Sequence, residues 1–229
     1  MTTALRGISS MATRQVLAEL AAAWEKHSGQ RVEIESVGGV DAAKRVAAGE
    51  PFDVVFLAAD AVDKLLAGGH AVAGSRVDLV RSGVAVAVKR GAPRPDLGSE
   101  AAVRAAVLAA PTIGYSTGPS GTALLQLFER WGIAEQVRPR TVQAPAGIPV
   151  GSLVAKGEVA LGFQQLSELM HLDGVDVVGP LPEPIHITTI FCGAVCTASG
   201  RPDAVRDLLA FMASPGTAGL KRACGMDAA

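Results

Sequence analysis

Two short apolar runs constrain this chain most. They are Asp53–Leu57 (DVVFL) and Val84–Val88 (VAVAV). A strand that is apolar at every position after its first, or throughout, has no face to offer water. It must lie inside a sheet covered on both sides, as strands of parallel sheets do. The segments around these runs alternate in kind. Ala4–Ile8 and Arg31–Ser36 read as strands. Met11–His27 places Val16, Leu17, Leu20, Ala23 and Trp24 on one helical face, and Gly29 stops it. Asp41–Ala48 and Ala61–Ala67 read as short helices ended by glycine. The order strand, helix, strand, helix defines an α/β domain built on a parallel sheet.

A Pro/Gly-rich connector, Gly91–Gly98, follows, and the pattern then repeats. Helices are expected over Ala101–Ala109, Thr122–Trp131, Val150–Ala155 and Leu166–His171, with a turn at Ser116–Gly121. Strands are expected over Thr112–Tyr115, Arg140–Gln143, Val159–Phe163 and Val175–Val178. The run Ile185–Thr197 is too long for an ordinary strand, and helices over Ala204–Met212 and Pro215–Cys224 close the chain. The layout is two α/β lobes with mixed, largely parallel sheets. Lobe I is residues 1–82 and 193–229, lobe II is 83–192, and the long runs Leu79–Val88 and Ile185–Thr197 are the crossover strands.

Composition removes several function classes. Hydrophobic residues make up 49% of the 229, so the chain is not disordered. The net charge is −1 and aromatics are 4%, which argues against a nucleic-acid partner. No apolar run reaches the roughly 20 residues of a membrane span. Met1–Ser10 lacks the apolar region of a secretory leader. The chain therefore reads as cytoplasmic as written, or as periplasmic or extracytoplasmic with a leader removed and Met1 added. Cys192, Cys196 and Cys224 are an odd number. Cys192 and Cys196 would lie roughly 13 Å apart along a strand, too far to bridge. The four His and three Cys have no ligand-like spacing, so neither a metal nor an organic cofactor is expected.

In open α/β sheets ligands bind beyond the carboxyl ends of the strands, where helix N-termini favour anions. Four turns have that form: around Ser9-Ser10, around Gly38-Gly39, from Ser116 through Ser120 and Gly121, and at Gly147–Pro149 with Ile148. Each hydroxyl is equally a simple helix N-cap.

The segments ISSMATRQVLAELAAAWEKHSG, AAKRVAAGEPFDVVFLAAD, YSTGPSGTALLQLFERWGI, LVAKGEVALGFQQLSEL and FMASPGTAGLKRACGM resemble the molybdate-binding proteins of bacterial ABC importers. The resemblance covers nearly the whole chain and implies the class II periplasmic-binding-protein fold. It implies a small anion held in an interlobe cleft by hydroxyls and backbone N–H groups, with an importer membrane subunit as partner. Residue by residue it places ligand contacts at Ser10 beside Ser9, at Ser120, and near Gly147 or Ile148. A second family serine falls at Gly39 and a tyrosine at Gln165, so both side chains differ here. Gly38-Gly39 widens the site, Gln164 and Gln165 carry donors and acceptors, and Arg81 suits a carboxylate. These departures favour an organic carboxylate over a tetrahedral oxyanion.

The same resemblance extends to aconitate isomerases, which shift a double bond within a tricarboxylate. That chemistry needs a proton acceptor and a proton donor. His186 and Asp41 are the candidates, with Asp60 and Glu168 as further acids near the loops. Asp41 is equally a first-turn acid of its helix, and Asp60 a cap of the next one. Two functions remain, an anion receptor and an isomerase. A ligand-sensing domain is a third, with no helix-turn-helix in the sequence to support it.

Overall fold

The computed structural model describes residues 3–229. Met1, read above as a native or an added start, lies outside them. Two compact units form, one from the chain up to Ser82 with Ile190–Ala229, the other from Gly83–Thr189.

The first unit begins with β1 (Leu5–Ser10), α1 (Arg14–Ser28), β2 (Val32–Val37), α2 (Gly39–Ala47), β3 (Val54–Ala58) and α3 (Ala59–Ala67). β1 pairs in parallel with both β2 and β3. The run DVVFL is covered on both faces, as its composition requires. Val54, Phe56 and Ala58 pack with Val16, Leu17, Leu20 and Trp24 of α1. Val55 and Leu57 pack with Ala42 and Val46 of α2 and Val62 and Leu65 of α3. The expected helix from Met11 starts as a single 3-10 turn, Met11–Thr13, and becomes α-helical at Arg14.

β4 (Val77–Lys89) carries the chain from the first unit into the second. There follow α4 (Glu100–Ala109), β5 (Ile113–Tyr115), α5 (Pro119–Arg130), α6 (Ala134–Val137), β6 (Thr141–Gln143), α7 (Val150–Lys156), β7 (Leu161–Gln165), α8 (Leu166–Leu169) and β8 (Val175–Pro180). β5 pairs in parallel with β6 and β7, and β4 pairs antiparallel with β7 and β8. In VAVAV the valines face α4 and α5, and Ala85 and Ala87 face Leu166 and Leu169 of α8. The long run Ile185–Thr197 is not one strand. A 3-10 turn at Glu183–Ile185 precedes β9 (Thr188–Val195), which returns the chain to the first unit.

β9 pairs antiparallel with β3 from Phe191 to Val195. α9 (Pro202–Ala213) covers it, with Leu208, Leu209 and Met212 buried in the same core as Phe56. The expected last helix divides into a 3-10 turn, Pro215–Thr217, and α10 (Ala218–Ala223). A terminal pair, β10 (Asp227–Ala228), lies antiparallel to Val80 and Arg81 of β4. Among the described residues no helix is long and apolar enough to cross a membrane.

Cys192, Cys196 and Cys224 are free and buried. Burial pushes the Cys192 and Cys196 thiols up to about 12 and raises Cys224 as well. Since the thiolate is the reactive form, the native protein at pH 8 should take up almost no iodoacetamide. Mass spectrometry checks this, and rapid stoichiometric labelling without denaturant would contradict it.

Candidate functional site

Parallel pairing in register brings the carboxyl ends of neighbouring strands to one edge. In the first unit Ser9 stands opposite Ser36 and Phe56, and Ser10 opposite Val37. Each strand feeds directly into a helical start, at Met11, Gly39 and Ala59, and none of the three starts has a side-chain cap. Ser10 occupies a cap position, but its Oγ lies 3.5 Å from the Thr13 hydroxyl and does not cap the backbone. Ser9 is tied by a 2.8 Å hydrogen bond to Ser36. A Cβ on Gly39 would lie 3.5 Å from the Ser10 Cβ, so these two positions adjoin. Asp60 was a candidate cap. It sits inside the first turn of α3, where Ala58 holds the cap position. Asp41 lies in the first turn of α2 and is exposed.

Arg81 is exposed on β4, and its Nε donates to the Ala228 carbonyl at 3.1 Å. That leaves its terminal N–H groups to bind or be solvated. The next residue, Ser82, is 1% exposed, and its hydroxyl has no partner. The apolar context of β4 concealed this residue from sequence reasoning.

In the second unit the parallel strands β6, β5 and β7 present Gln143, Tyr115 and Gln165 at their carboxyl ends. The Ser116 and Ser120 hydroxyls are 3.0 Å apart. Ser120 and Gly121, expected in a turn, lie in the first turn of α5, because Pro119 takes the first helical position. A Cβ on Gly121 would fall 1.9 Å from the Ser116 carbonyl oxygen, so only glycine lets the helix start this close. Between β6 and α7 the chain turns at Gly147 (φ 78°) and leaves Ile148 46% exposed.

The glutamine pair divides its tasks because neighbouring strand residues face opposite ways. Gln164 Oε1 accepts the Gly151 N–H at 3.1 Å, tying β7 to the start of α7. Gln165 is 3% exposed, its Nε2 donates to Thr189 Oγ1 at 2.8 Å, and its Oε1 is buried without a partner. Burial pushes the Glu168 carboxyl up to about 7, against the smaller opposing effect of Gln164.

His186 belongs to the second unit and is exposed. Its Nδ1 lies 3.4 Å from the Thr188 hydroxyl, and its Nε2 lies 2.7 Å from where a Cβ on Gly83 would be. Among the described residues no group of three or more His, Cys, Asp or Glu is arranged to hold a metal ion.

A chain of parallel strands ending in uncapped helical starts, with buried hydroxyls and amides between them, is the framework of a small-solute binder. The chain belongs to the bacterial extracellular solute-binding protein family, whose model matches residues 5–227. Over 218 residues it is 39% identical to an aconitate isomerase from Pseudomonas sp., covering 93% of this chain and 83% of that protein. Solved structures share the fold. The periplasmic molybdate-binding protein of Azotobacter vinelandii superposes with a TM-score of 0.79 at 21% identity, over 97% of this chain and 98% of that one. The sulfate-binding protein SubI of Mycobacterium tuberculosis gives 0.79 at 15% identity, over 98% and 86%.

Proposed function

We propose that this chain binds a small organic polycarboxylate of the aconitate class and interconverts its double-bond isomers. The observation that carries this reading is the 39% identity to an aconitate isomerase along 93% of the chain. The residues support it. Molybdate binders offer a serine and a tyrosine where this chain has Gly39 and Gln165. The change removes bulk at one position and supplies a carboxamide with an unpartnered buried oxygen at the other. Ser9, Ser10, Gly38 and Gly39 of the first unit, and Ser120, Gly121, Ile148, Gln164 and Gln165 of the second, are the proposed contacts, with Arg81 as carboxylate partner. Delivery of the same ligand to the membrane subunit of an ABC importer is the second reading, favoured by the family itself.

Calorimetry with trans-aconitate and with molybdate tests the ligand class, and NMR of trans-aconitate incubated with catalytic protein tests the reaction. Trans-aconitate should bind more tightly than molybdate, and the cis isomer should accumulate. A charge-assisted hydrogen bond contributes about 1.5–3 kcal/mol. Arg81→Ala should therefore weaken trans-aconitate roughly ten- to a hundredfold and leave molybdate little changed. Tight molybdate binding with no response to aconitate would refute the carboxylate reading.

A further inference from the structure

Resting on the isomerase reading, we propose that Glu168 is the group that carries the proton. Its carboxylate removes a proton from the methylene carbon of the bound tricarboxylate. The electron pair of that C–H bond becomes the new C=C bond. The π electrons of the old double bond take a proton back from the Glu168 carboxyl at the far carbon. One group performs both transfers, nothing is oxidised or reduced, and no co-reactant is consumed.

Three observations place this task on Glu168. It lies on α8, which begins directly after the carboxyl end of β7, the edge at which the second unit's parallel strands all finish. It is half-buried, whereas Asp41 and His186 are exposed to water. At the end of β7, Gln164, 2% exposed and fixed to the Gly151 N–H, acts to favour the ionised form of Glu168. The adjacent Gln165, with its unpartnered buried oxygen, independently marks this edge as a place where a ligand completes the hydrogen bonding.

The electrostatic surroundings agree. β7, β8, the start of α7 and Ala85 and Ala87 of β4 pack against α8. Asp176 of β8 accepts the Gly91 N–H, Lys89 of β4 reaches towards Gly157, and Lys156 stands at the opposite end of α7 from the start that packs on α8. No charged neighbour contributes to the raised proton affinity of Glu168, which comes from burial. A carboxyl that titrates near neutral pH both takes and returns protons efficiently there.

The test is Glu168→Gln, with Glu168→Asp as the acid-retaining control. For Glu168→Gln, kcat should fall about 10²- to 10⁴-fold. Proton exchange of trans-aconitate in D2O should fall with it, while calorimetric affinity for trans-aconitate stays close to that of the wild type. Glu168→Asp should recover part of the rate. The wild-type rate should rise with pH through a midpoint near 7, and Glu168→Gln should lack that limb. The amide needs no ionisation in a dry place, so Glu168→Gln should melt no lower than the wild type at pH 8. Full activity in a folded Glu168→Gln, or loss of binding together with activity, overturns the assignment while leaving the isomerase reading intact. A wild type that binds aconitate without isomerising it, or does not bind it, overturns both.

Discussion

Asp53→Ala should lower the unfolding free energy by about 2–3 kcal/mol, because it removes the largely buried acceptor of several charge-assisted hydrogen bonds. Asp53 sits just before β3 with its side chain 11% exposed, 2.7 Å from the Arg201 guanidinium. The same carboxylate accepts the Arg6 N–H at 2.9 Å and the Ser199 hydroxyl at 2.7 Å. It thus joins β1, β3 and the segment after β9. Alanine leaves the Arg6 N–H and the Ser199 hydroxyl without this acceptor, and the Arg201 guanidinium keeps only the Thr3 and Ala4 carbonyls. Burial pushes this carboxyl up, but the bonds from Arg6, Ser199 and Arg201 outweigh it, and the net displacement is downward. A carboxyl lowered on folding contributes stability above its unfolded value of about 3.9. That contribution disappears as the pH falls through the lower folded value. The deficit of Asp53→Ala should accordingly be full at pH 7 and shrink at strongly acid pH. Urea unfolding at pH 7 and at pH 3 checks both statements, and equal midpoints at pH 7 would refute the clamp.

Gly121→Ala should cost about 3 kcal/mol, at the upper end of overpacking substitutions. The added methyl would meet the Ser116 carbonyl oxygen at 1.9 Å and its carbon at 2.9 Å. These are backbone atoms, which cannot rotate aside as a side-chain tip does. Either α5 shifts along its axis or the Ser116–Gly118 turn opens. Both movements separate the Ser116 and Ser120 hydroxyls, now 3.0 Å apart. A loss of ligand affinity should therefore accompany the loss of stability. Gly118→Ala is the control, because nothing lies within 4 Å of its Cβ position. Differential scanning calorimetry of the two variants decides the matter: melting of Gly121→Ala alongside Gly118→Ala would show that the turn yields freely.

Much of the fold was legible because burial on two faces leaves a local trace. DVVFL and VAVAV could belong only to covered strands, and their neighbours in the structure are the expected helices. Punctuation residues misled where tertiary contact decided the outcome. Gly118, Pro119 and Gly121 read as a turn, yet proline suits the first helical position and Gly121 answers to the Ser116 carbonyl rather than to a bend. β10 has two residues and no pattern of its own, and only its register with β4 defines it. The same limit applied to the site. The hydroxyl and glycine loops stood out as turns after strands. By contrast, burial distinguishes Glu168 from Asp41 and Asp60, and burial comes from elements distant in the chain.

The interrupted first unit has a consequence for biosynthesis. The second unit is one uninterrupted stretch, Gly83–Thr189, whereas the first needs Ile190–Ala229 for completion. A nascent chain that has reached Thr189 already holds β5, β6, β7 and β8, but β3 still lacks its partner from β9. The apolar side of Phe56 likewise waits for α9. Domains that emerge first from the ribosome ordinarily fold first. Here the order is reversed: the stretch up to Ser82 stays open, with an unpaired strand edge, until Ile190–Ala229 has been translated.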